Sequence, residues 1–357
     1  MHYSLKSTTF AVIKWKYMIT KLKLHNWKSF EDSTLYIDPL TFLIGTNASG
    51  KSNVLDAFEF LRLRLNGVTL DNAINQIRGG EDWIIQKGKH NARLEVSVEE
   101  NGKEYCLKYE FFHDSNGFHE ISPVLQLMEK DDYDSDTAFK VVSNNINDIF
   151  ILDPIPNRMR NYSKVSKHLL KDGSNIAGVI AGLKEEEKKD LEEKLTKYVS
   201  PLPERDINRM EAVTVGLTNT DAMLYCYEDW NPDVPVDARG MSDGTLRFAA
   251  IVVAMLTAKP HSLLIIEEVD NGLHPSRAKE LVKVLKEISH DRNIDVLCTT
   301  HNPVLINELG NDMIPFVSYV SRDDMGNSNI QLLEDKDNLA KLMASGTVGD
   351  LMIMDRI

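Results

Sequence analysis

The glycine-rich stretch GTNASGKS at residues 45–52 constrains the fold more than any other part of the chain. It matches the pattern G-x-x-x-x-G-K-[ST], and it lies between an apolar run at 40–44 and a helical pattern that continues to about Leu65. A buried strand, a tight turn and a helix in this order direct backbone N–H groups toward a common point, where they can hold phosphate groups. We therefore predict a phosphate-binding loop and not a plain glycine-rich turn.

The residues of this loop have separate expected roles toward ATP. The backbone N–H groups would surround the phosphates, the Lys51 ammonium would neutralise the two terminal phosphates, and the Ser52 hydroxyl would bind Mg²⁺. The residues that we expect to bind the nucleotide here are Gly45, Thr46, Asn47, Ala48, Ser49, Gly50, Lys51, Ser52 and Asn53.

Two acidic residues end a second apolar run, LLIIEE at 263–268. The carboxyl end of a strand in a parallel sheet meets the phosphate loop at the same edge. We expect Glu267 to hold Mg²⁺ together with Ser52, and Glu268 to polarise the attacking water as a general base. A further buried strand, IDVLCTTH, ends at His301, which we interpret as a γ-phosphate contact and not as a structural histidine.

A second helix start that suits an anion lies at residues 242–248, SDGTLRF. Ser242 is a favourable N-cap residue, and the N–H of Gly244 stands at the positive end of the helix dipole. The local interpretation is a plain N-cap at Ser242. The alternative is that Ser242, Asp243 and Gly244 also hold a phosphate, which raises the question of why one chain has two such helix starts.

The pattern of strands and helices predicts an α/β fold. Two alternating runs in the first forty residues and a hairpin that turns at Asn101-Gly102 predict antiparallel strands. From residue 240 onward, apolar strands alternate with helices, which is typical of a parallel sheet. We therefore expect a mixed sheet with an N-terminal antiparallel β subdomain and a largely parallel core sheet flanked by helices. Residues 113–160 are expected to be irregular and strand-leaning.

The composition limits the classes of partner and the location. The formal net charge is −13, so the chain lacks the overall basic character of a nucleic-acid binder, although residues 1–28 carry six lysines and no acid. That segment is either a solvated strand or a local contact for DNA. The three cysteines are scattered, and no run of about 18 apolar residues occurs. We expect a cytoplasmic protein without a membrane segment.

Together these motifs resemble those of the ABC-type ATPases of the RecF, SMC and OLD kind, which have a P-loop NTPase fold. SDGT at 242–245 resembles their signature motif, NGLHP at 271–275 their D-loop, and His301 their switch histidine. The segments 19–53 and 169–180 resemble a narrower group, the stand-alone AAA-family ATPases of bacterial anti-phage systems.

Two positions bear on how closely the chain follows the clan. The Mg²⁺-binding acid of the clan is usually Asp, whereas this chain has Glu267, whose longer side chain is expected to alter the metal geometry and slow hydrolysis. The glutamine of the Q-loop is either Gln76 or Gln86, and the sequence leaves both open.

We also expect a particular domain organisation. Most of the chain would form the ATPase head, with further parts before, within and after it. These parts are a loose extension at 1–17, a head at 18–310 with a β-rich and helical insert at 92–235, and a C-terminal extension at 311–357.

The resemblance implies a reason for the two phosphate-binding helix starts. In this clan, the signature motif of one subunit closes over ATP that the phosphate loop of another subunit holds, so neither half completes a site alone. The implied function is an ATP-hydrolysing switch that uses Mg²⁺ and forms a homodimer or a higher homo-oligomer. It would control a separate effector protein, a nuclease or toxin, in anti-phage defence, because the 56 residues beyond His301 are too few for the nuclease domain of the larger OLD proteins.

Two other functions stay open at this point. One is a nucleotide-gated scaffold that hydrolyses little or no ATP, and it would keep Lys51 without needing Glu268. The other is a RecF-like DNA-repair ATPase, and it would bind DNA through the lysine-rich N-terminal segment or the surface of the head.

Overall fold

The computed structural model describes residues 17–127, 135–202, 207–344 and 346–354. Eleven strands of the described chain form one large mixed sheet, and four more form a small sheet. The strands are β1 (Tyr17–Trp27), β2 (Phe30–Tyr36), β3 (Leu40–Ile44), β4 (Asn91–Glu100), β5 (Lys103–Asp114), β6 (Gly117–Leu127), β7 (Phe150–Leu152), β8 (Ser163–Lys164), β9 (Ile207–Val215), β10 (Asp221–Glu228), β11 (Asn231–Asp237), β12 (Leu263–Ile266), β13 (Asp295–Thr300), β14 (Val317–Arg322) and β15 (Ser328–Leu332). The helices are α1 (Lys51–Leu65), α2 (Leu70–Gln76), α3 (Ser135–Asn147), α4 (Pro156–Met159), α5 (Ile176–Ala181), α6 (Glu185–Val199), α7 (Asp243–Thr257), α8 (Ala278–Arg292), α9 (Pro303–Leu309), α10 (Leu339–Met343) and α11 (Val348–Ile353).

The large sheet has an antiparallel half and a parallel half. Its strand order is β6-β5-β4-β1-β2-β15-β14-β3-β13-β12-β7. All neighbours from β6 to β2 are antiparallel, and all neighbours from β14 to β7 are parallel. The predicted fold class, with an antiparallel N-terminal part and a largely parallel core between helices, is confirmed.

β14 and β15 join the two halves of the large sheet. β15 is antiparallel to β14 and meets β2 at one residue pair, Ser328 opposite Phe30. Both strands lie within 311–357, the range that we expected as a C-terminal extension, and they occupy the middle of the sheet. This part of the chain therefore belongs to the same sheet as the strand that leads into the phosphate loop.

Helices cover both faces of the parallel half. All five residues of β3 are buried, and they alternate, since Phe42 and Ile44 face one core and Leu43 faces the other. The first core includes Phe248 and the other apolar residues of α7, and the second includes Phe58 and the other apolar residues of α1. Burial on both faces explains why four of its five residues are apolar and why the polar Thr41 is buried with them.

An aromatic cluster fixes α1 to the antiparallel half. The Phe60 ring of α1 lies 5.4 Å from the Trp27 ring of β1 and 5.6 Å from the Tyr109 ring of β5, measured between ring centroids. Trp27 Nε1 also donates a hydrogen bond to Asn53 O at 2.7 Å. The start of the helix that follows the phosphate loop is therefore held by the N-terminal strands.

The segment 113–160 differs from the prediction of an irregular, strand-leaning region. Residues 135–147 form α3, which packs on α1. Ala138, Val142 and Ile146 are buried and recur every fourth residue, so one face of α3 is apolar. The prediction was wrong for this helix, because serine and asparagine residues between Val142 and Ile146 obscure the helical period in the sequence. β6 and β7 confirm the strand character of other parts of the segment.

The small sheet is built around β10, which pairs with β9 along its length and with β8 and β11 at its two ends. α5 and α6 pack against this sheet. α6 has a charged outer face, and it buries Leu191 and Leu195 on its inner face. Among the described residues, no helix is both long enough and apolar enough to cross a membrane.

Candidate active site

Gly45 and Gly50 give the phosphate loop a shape that other residues cannot easily adopt. Both have positive φ angles, 152° and 117°. A Cβ on Gly50 would lie 2.5 Å from Ser328 Oγ, and one on Gly45 would lie 2.3 Å from the Val320 carbonyl oxygen. Ser328 Oγ also donates a hydrogen bond to Ser49 O at 2.6 Å. β14 and β15 therefore support the loop directly, a contact that no motif in the sequence indicates.

Lys51 folds back over the loop that precedes it. Its Nζ donates hydrogen bonds to Gly45 O at 2.7 Å and to Thr46 O at 2.8 Å. Burial lowers the pKa of Lys51, while the Glu268 carboxylate acts in the opposite direction. Residues 46–48 at the tip of the loop are exposed. The Lys51 ammonium therefore lies beside the loop, and the exposed tip of the loop is accessible to a ligand.

Ser52 and Glu267 meet although they are distant in sequence. Ser52 Oγ donates a hydrogen bond to Glu267 Oε1 at 2.7 Å, and the Glu267 N–H donates to Leu152 O of β7 at 3.0 Å. Hydroxyl and carboxylate oxygens are the ligands that Mg²⁺ prefers in proteins. The two residues that the sequence suggested as metal ligands are therefore adjacent and chemically suited to hold Mg²⁺.

The electrostatic surroundings keep Glu267 ionised. Burial acts to raise its pKa, but the hydrogen bond from Ser52 and the guanidinium of Arg78 outweigh burial and lower the pKa below its ordinary value. Glu267 is only 8% exposed, so these partners replace water as its stabilising contacts. A carboxylate in this state can accept a cation without first losing a proton.

Arg78 was not among the residues that the sequence suggested. Its Nη1 donates to Glu267 Oε1 at 2.9 Å, and its Nε donates to Asp56 Oδ1 at 2.9 Å. Lys28 Nζ pairs with the other oxygen of Asp56 at 2.5 Å. Arg78 follows α2 in a turn without a strand or helix period, so no local pattern in the sequence points to this role.

Glu268 has an unusual backbone conformation directly after β12. Its φ is 46°, in the left-handed region that non-glycine residues rarely adopt. The Glu268 N–H donates to Thr299 Oγ1 at 2.8 Å, and the side chain accepts from Asn271 Nδ2 at 3.1 Å. Contacts from β13 and from the following turn therefore hold the residue in this conformation, as is common at functional sites.

His301 lies at the same edge of the sheet as the phosphate loop and the two acids. β13 stands between β3 and β12 and is parallel to both, so the carboxyl ends of the three strands are neighbours. His301 directly follows β13 and is exposed. The buried pair of Thr300 Oγ1 and Asp270 Oδ1, 2.7 Å apart, ties the end of β13 to the turn that contains Glu268.

Ser242 caps α7 and does not join this group within one chain. Its Oγ accepts a hydrogen bond from the Thr245 N–H at 3.1 Å, which is the N-cap that the local interpretation predicted. In the part of the chain that the structure describes, its hydrogen bonds remain within this helix start and none reaches the phosphate loop. Ser242 and Asp243 are exposed, and Asp243 pairs with Arg160 at 2.6 Å.

Gly244 brings the start of α7 against the turn that follows Glu268. A Cβ on Gly244 would lie 2.9 Å from Arg277 Nη1 and 3.1 Å from Gly272 O, so only glycine fits without displacement. The buried Arg247 donates to Asn271 O at 3.2 Å. The signature-like segment and the D-loop-like segment of one chain are therefore packed together.

A protein family described as "AAA domain, putative AbiEii toxin, Type IV TA system" matches residues 40–307. This range covers well over half of the chain and contains the phosphate loop, both acids, Ser242 and His301. The chain belongs to this family.

Individual proteins agree with this assignment. A Helicobacter pylori protein named ATP/GTP phosphatase is 23% identical over 331 residues, which span 81% of this chain and 86% of that protein. The DNA replication and repair protein RecF of Bacillus cytotoxicus is 30% identical over 95 residues, which are 25% of each chain. The chain is thus similar to the first protein over most of its length and to RecF over a quarter of it.

Solved structures show the same fold. The SMC head domain from Thermotoga maritima has a TM-score of 0.52 at 17% identity and covers 88% of this chain and 98% of that chain. The Pyrococcus furiosus Smc head domain with an extended coiled coil, bound to the C-terminal domain of ScpA, has a TM-score of 0.58 at 14% identity and covers 92% and 99%. The AAA-family chain therefore has an ABC-type ATPase fold.

A cavity of about 710 Å³ opens beside Ser52 and Asn53 in this AAA-family chain. Gln86 and Trp83 contribute to its wall. Gln86 is 7% exposed, whereas Gln76 is exposed and donates to the backbone of its own helix. Gln86 is therefore the one of the two candidate Q-loop glutamines that lines the same cavity as Ser52 and Asn53, and its assignment stays a prediction.

Proposed function

We propose that this chain binds ATP with Mg²⁺ and hydrolyses it, and that ATP joins two copies of the chain. The observation that carries the proposal is the contact between Ser52 and Glu267 beside Lys51. This contact brings a hydroxyl oxygen and a carboxylate oxygen together at the start of the helix whose N–H groups can hold phosphates, which supports a metal site there. The Helicobacter pylori relative, named ATP/GTP phosphatase, supports hydrolysis.

The residues of the site divide the work of hydrolysis between them. Lys51 turns from the loop carbonyl oxygens to the terminal phosphates and neutralises them. Ser52 and Glu267 would hold Mg²⁺, which would supply positive charge to the phosphates. Glu268 accepts the proton of the attacking water, and His301 donates a hydrogen bond to the γ-phosphate.

The position of Ser242 supports a site shared between two copies. Ser242 and Asp243 at the start of α7 are exposed, and within one chain the hydrogen bonds of Ser242 do not reach the phosphate loop. A two-fold dimer would bring each α7 start over the loop of the partner and would form two equivalent sites, the simplest closed arrangement. Asp243 and Gly244 would then lie at the same interface.

The dimer would act as a switch for a separate effector. ATP would close it, hydrolysis would open it, and a nuclease or toxin would respond to the difference. The family description, which names a putative toxin and a type IV TA system, supports a link to a toxin, and we infer that the setting is anti-phage defence. This role also agrees with the resemblance of segments 19–53 and 169–180 to ATPases of such systems.

A RecF-like DNA-repair ATPase is the second candidate function, and the partial similarity to RecF favours it. The described lysines of the N-terminal segment argue against DNA as the partner. Lys21 pairs with Glu104, Lys23 with Asp32 and Lys28 with Asp56. The basic character of these three positions is therefore neutralised by nearby acids, and Lys6, Lys14 and Lys16 lie outside the described residues.

Phosphate release from ATP by purified protein tests the proposal. The wild-type chain should hydrolyse ATP in the presence of Mg²⁺, and Lys51→Ala should neither bind nor hydrolyse it. Arg62→Ala is a matched control, because Arg62 pairs with Glu59 on α1 without contacting the loop. Equal ATP binding by the wild type and Lys51→Ala would contradict the proposal, and binding without turnover would favour the non-hydrolysing scaffold.

A further inference from the structure

Arg78 and Ser52 both donate a hydrogen bond to the same carboxylate oxygen of Glu267. Both Arg78 Nη1 and Ser52 Oγ donate to Glu267 Oε1, at 2.9 Å and 2.7 Å. Arg78 Nη2 also donates to Ser52 O at 3.1 Å. A guanidinium therefore provides positive charge at the carboxylate oxygen with which Glu267 would hold a metal.

Arg78 belongs to a chain of ion pairs beside the phosphate loop. Two cations, Arg78 and Lys28, face two carboxylates, Asp56 and Glu267. Burial acts against the charge on Arg78, but the two carboxylates outweigh it and raise the pKa of Arg78 above its ordinary value. A divalent cation bound at Glu267 Oε1 would lie beside the Arg78 guanidinium, and the repulsion between the two positive charges favours displacement of Arg78.

Arg78 is the cation that can move. Its side chain is 51% exposed, whereas that of Lys28 is 5% exposed. Gly79 and Gly80 follow it with φ angles of 86° and 53°, and glycine pairs tolerate changes of backbone conformation. Arg78 also has a second carboxylate, Asp56, to which it can remain attached after it leaves Glu267.

We propose that Arg78 is a positioning residue that holds Glu267 in place as a substitute for the metal ion and that Mg²⁺ displaces it. The proposal rests on the proposed function, because it requires Ser52 and Glu267 to be metal ligands. When the guanidinium leaves, Glu267 would already be in position to bind Mg²⁺. Mg²⁺ would therefore compete with Arg78 for the Glu267 carboxylate. Arg78 thereby sets the metal concentration at which the ATPase becomes active.

This competition can be measured as the affinity of the protein for Mn²⁺ in the absence of nucleotide. Electron paramagnetic resonance reports the concentration of free Mn²⁺ in the titration. Arg78→Ala should bind Mn²⁺ about two- to fivefold more tightly than the wild type, the scale expected for the loss of one partly exposed ion pair. Arg62→Ala should bind like the wild type. Adding Glu267→Gln to Arg78→Ala should abolish the increase in Mn²⁺ affinity, because this increase depends on the Glu267 carboxylate that Arg78 no longer occupies.

An unchanged or weaker Mn²⁺ affinity of Arg78→Ala would overturn the proposal. Weaker ATP binding by this variant at unchanged Mn²⁺ affinity would also overturn it, since Arg78 would then act on the nucleotide. Circular dichroism checks the fold, and Arg78→Gln, which keeps a hydrogen-bond donor without the charge, serves if the alanine variant is unstable. Failure of the proposed function would appear separately, as ATP binding that does not depend on Lys51.

Discussion

Ser52 Oγ and Glu267 Oε1 lie 2.7 Å apart, across 215 residues of the chain. β13 stands between the strand that leads into Ser52 and the strand that leads into Glu267. The contact therefore spans one strand of the sheet, and it depends on the parallel order of β3, β13 and β12. Any change that disturbs this order or the strands that support it should act on both residues together.

Replacing the expected general base should separate binding from hydrolysis. Glu268→Gln keeps the shape of the side chain and a hydrogen-bonding partner for Asn271, but the amide cannot accept a proton. Turnover should fall by roughly 10²-fold or more while ATP binding persists. Phosphate release and equilibrium binding of labelled ATP measure the two effects. Unchanged turnover would mean that another residue, such as Glu267, is the base or that Glu268 has no part in the reaction.

Ser328 should matter to the phosphate loop although it lies in β15. Ser328→Ala removes the hydrogen bond to Ser49 O and should lower the free energy of unfolding by about 1 kcal/mol. It should also weaken ATP binding, because the loop loses a support. Ser321→Ala on β14 is the control, since Ser321 makes no side-chain hydrogen bond to the loop among the described residues. Urea unfolding and ATP binding measure both effects, and equal behaviour of the two variants would contradict this prediction.

Asp295, at the start of β13, should make stability depend on pH. Burial, with a further contribution from Asp38, raises the pKa of Asp295 to about 7. The folded state therefore binds more protons than the unfolded state between the ordinary value of 3.8 and about 7. Stability should fall as pH rises through this range and level off above it.

Asp295→Asn removes this titration and should flatten the pH dependence. Urea unfolding at several pH values compares it with the wild type and with Asp291→Asn, whose carboxylate is exposed on α8. If the pH profiles of the wild type and Asp295→Asn coincide, Asp295 does not titrate as the structure indicates.

Ser242 should act on the loop of a partner chain. Ser242→Arg should block ATP-dependent association by its bulk, while the monomer still folds and binds ATP through Lys51. Ser242→Ala is the matched control, because it loses the N-cap at a cost of about 1 kcal/mol without filling the space. A plain N-cap would make both variants associate like the wild type.

Mixed subunits give a second test of the same idea. A dimer of one Ser242→Arg chain and one Lys51→Ala chain would contain one doubly damaged site and one intact site. Mixing the two inactive proteins should therefore restore part of the turnover. Absence of recovery, together with normal association of Ser242→Arg, would show that α7 does not complete the site of a neighbour.

The local parts of the site could be predicted from the sequence. A strand, a glycine-rich turn and a helix follow one another at 40–65, and apolar strands end at Glu267 and at His301, so short patterns suffice to place them. The parallel order then follows from the alternation of strands and helices. Because parallel strands end at a common edge, these patterns are enough to predict that the loop, the acids and His301 are neighbours.

The remaining parts depend on contacts between distant segments. The sequence of β14 and β15 does not show that they enter the middle of the sheet, because strand order is set by long-range pairing. Ser328 and Arg78 reach the site from such segments, and neither lies in a motif. α3 was missed for a different reason, since serine and asparagine residues interrupt its apolar pattern in the sequence.

The central claim is that ATP joins two copies of the chain, and the mass of the Glu268→Gln variant in solution tests it most directly. This variant should bind ATP without hydrolysing it, so that the closed state accumulates. Light scattering should show a monomer without nucleotide and with ADP, and a dimer with ATP and Mg²⁺. Lys51→Ala combined with Glu268→Gln should stay monomeric under all conditions. A mass that does not change when ATP and Mg²⁺ are added, in protein shown to bind ATP, would contradict an ATP-driven dimer.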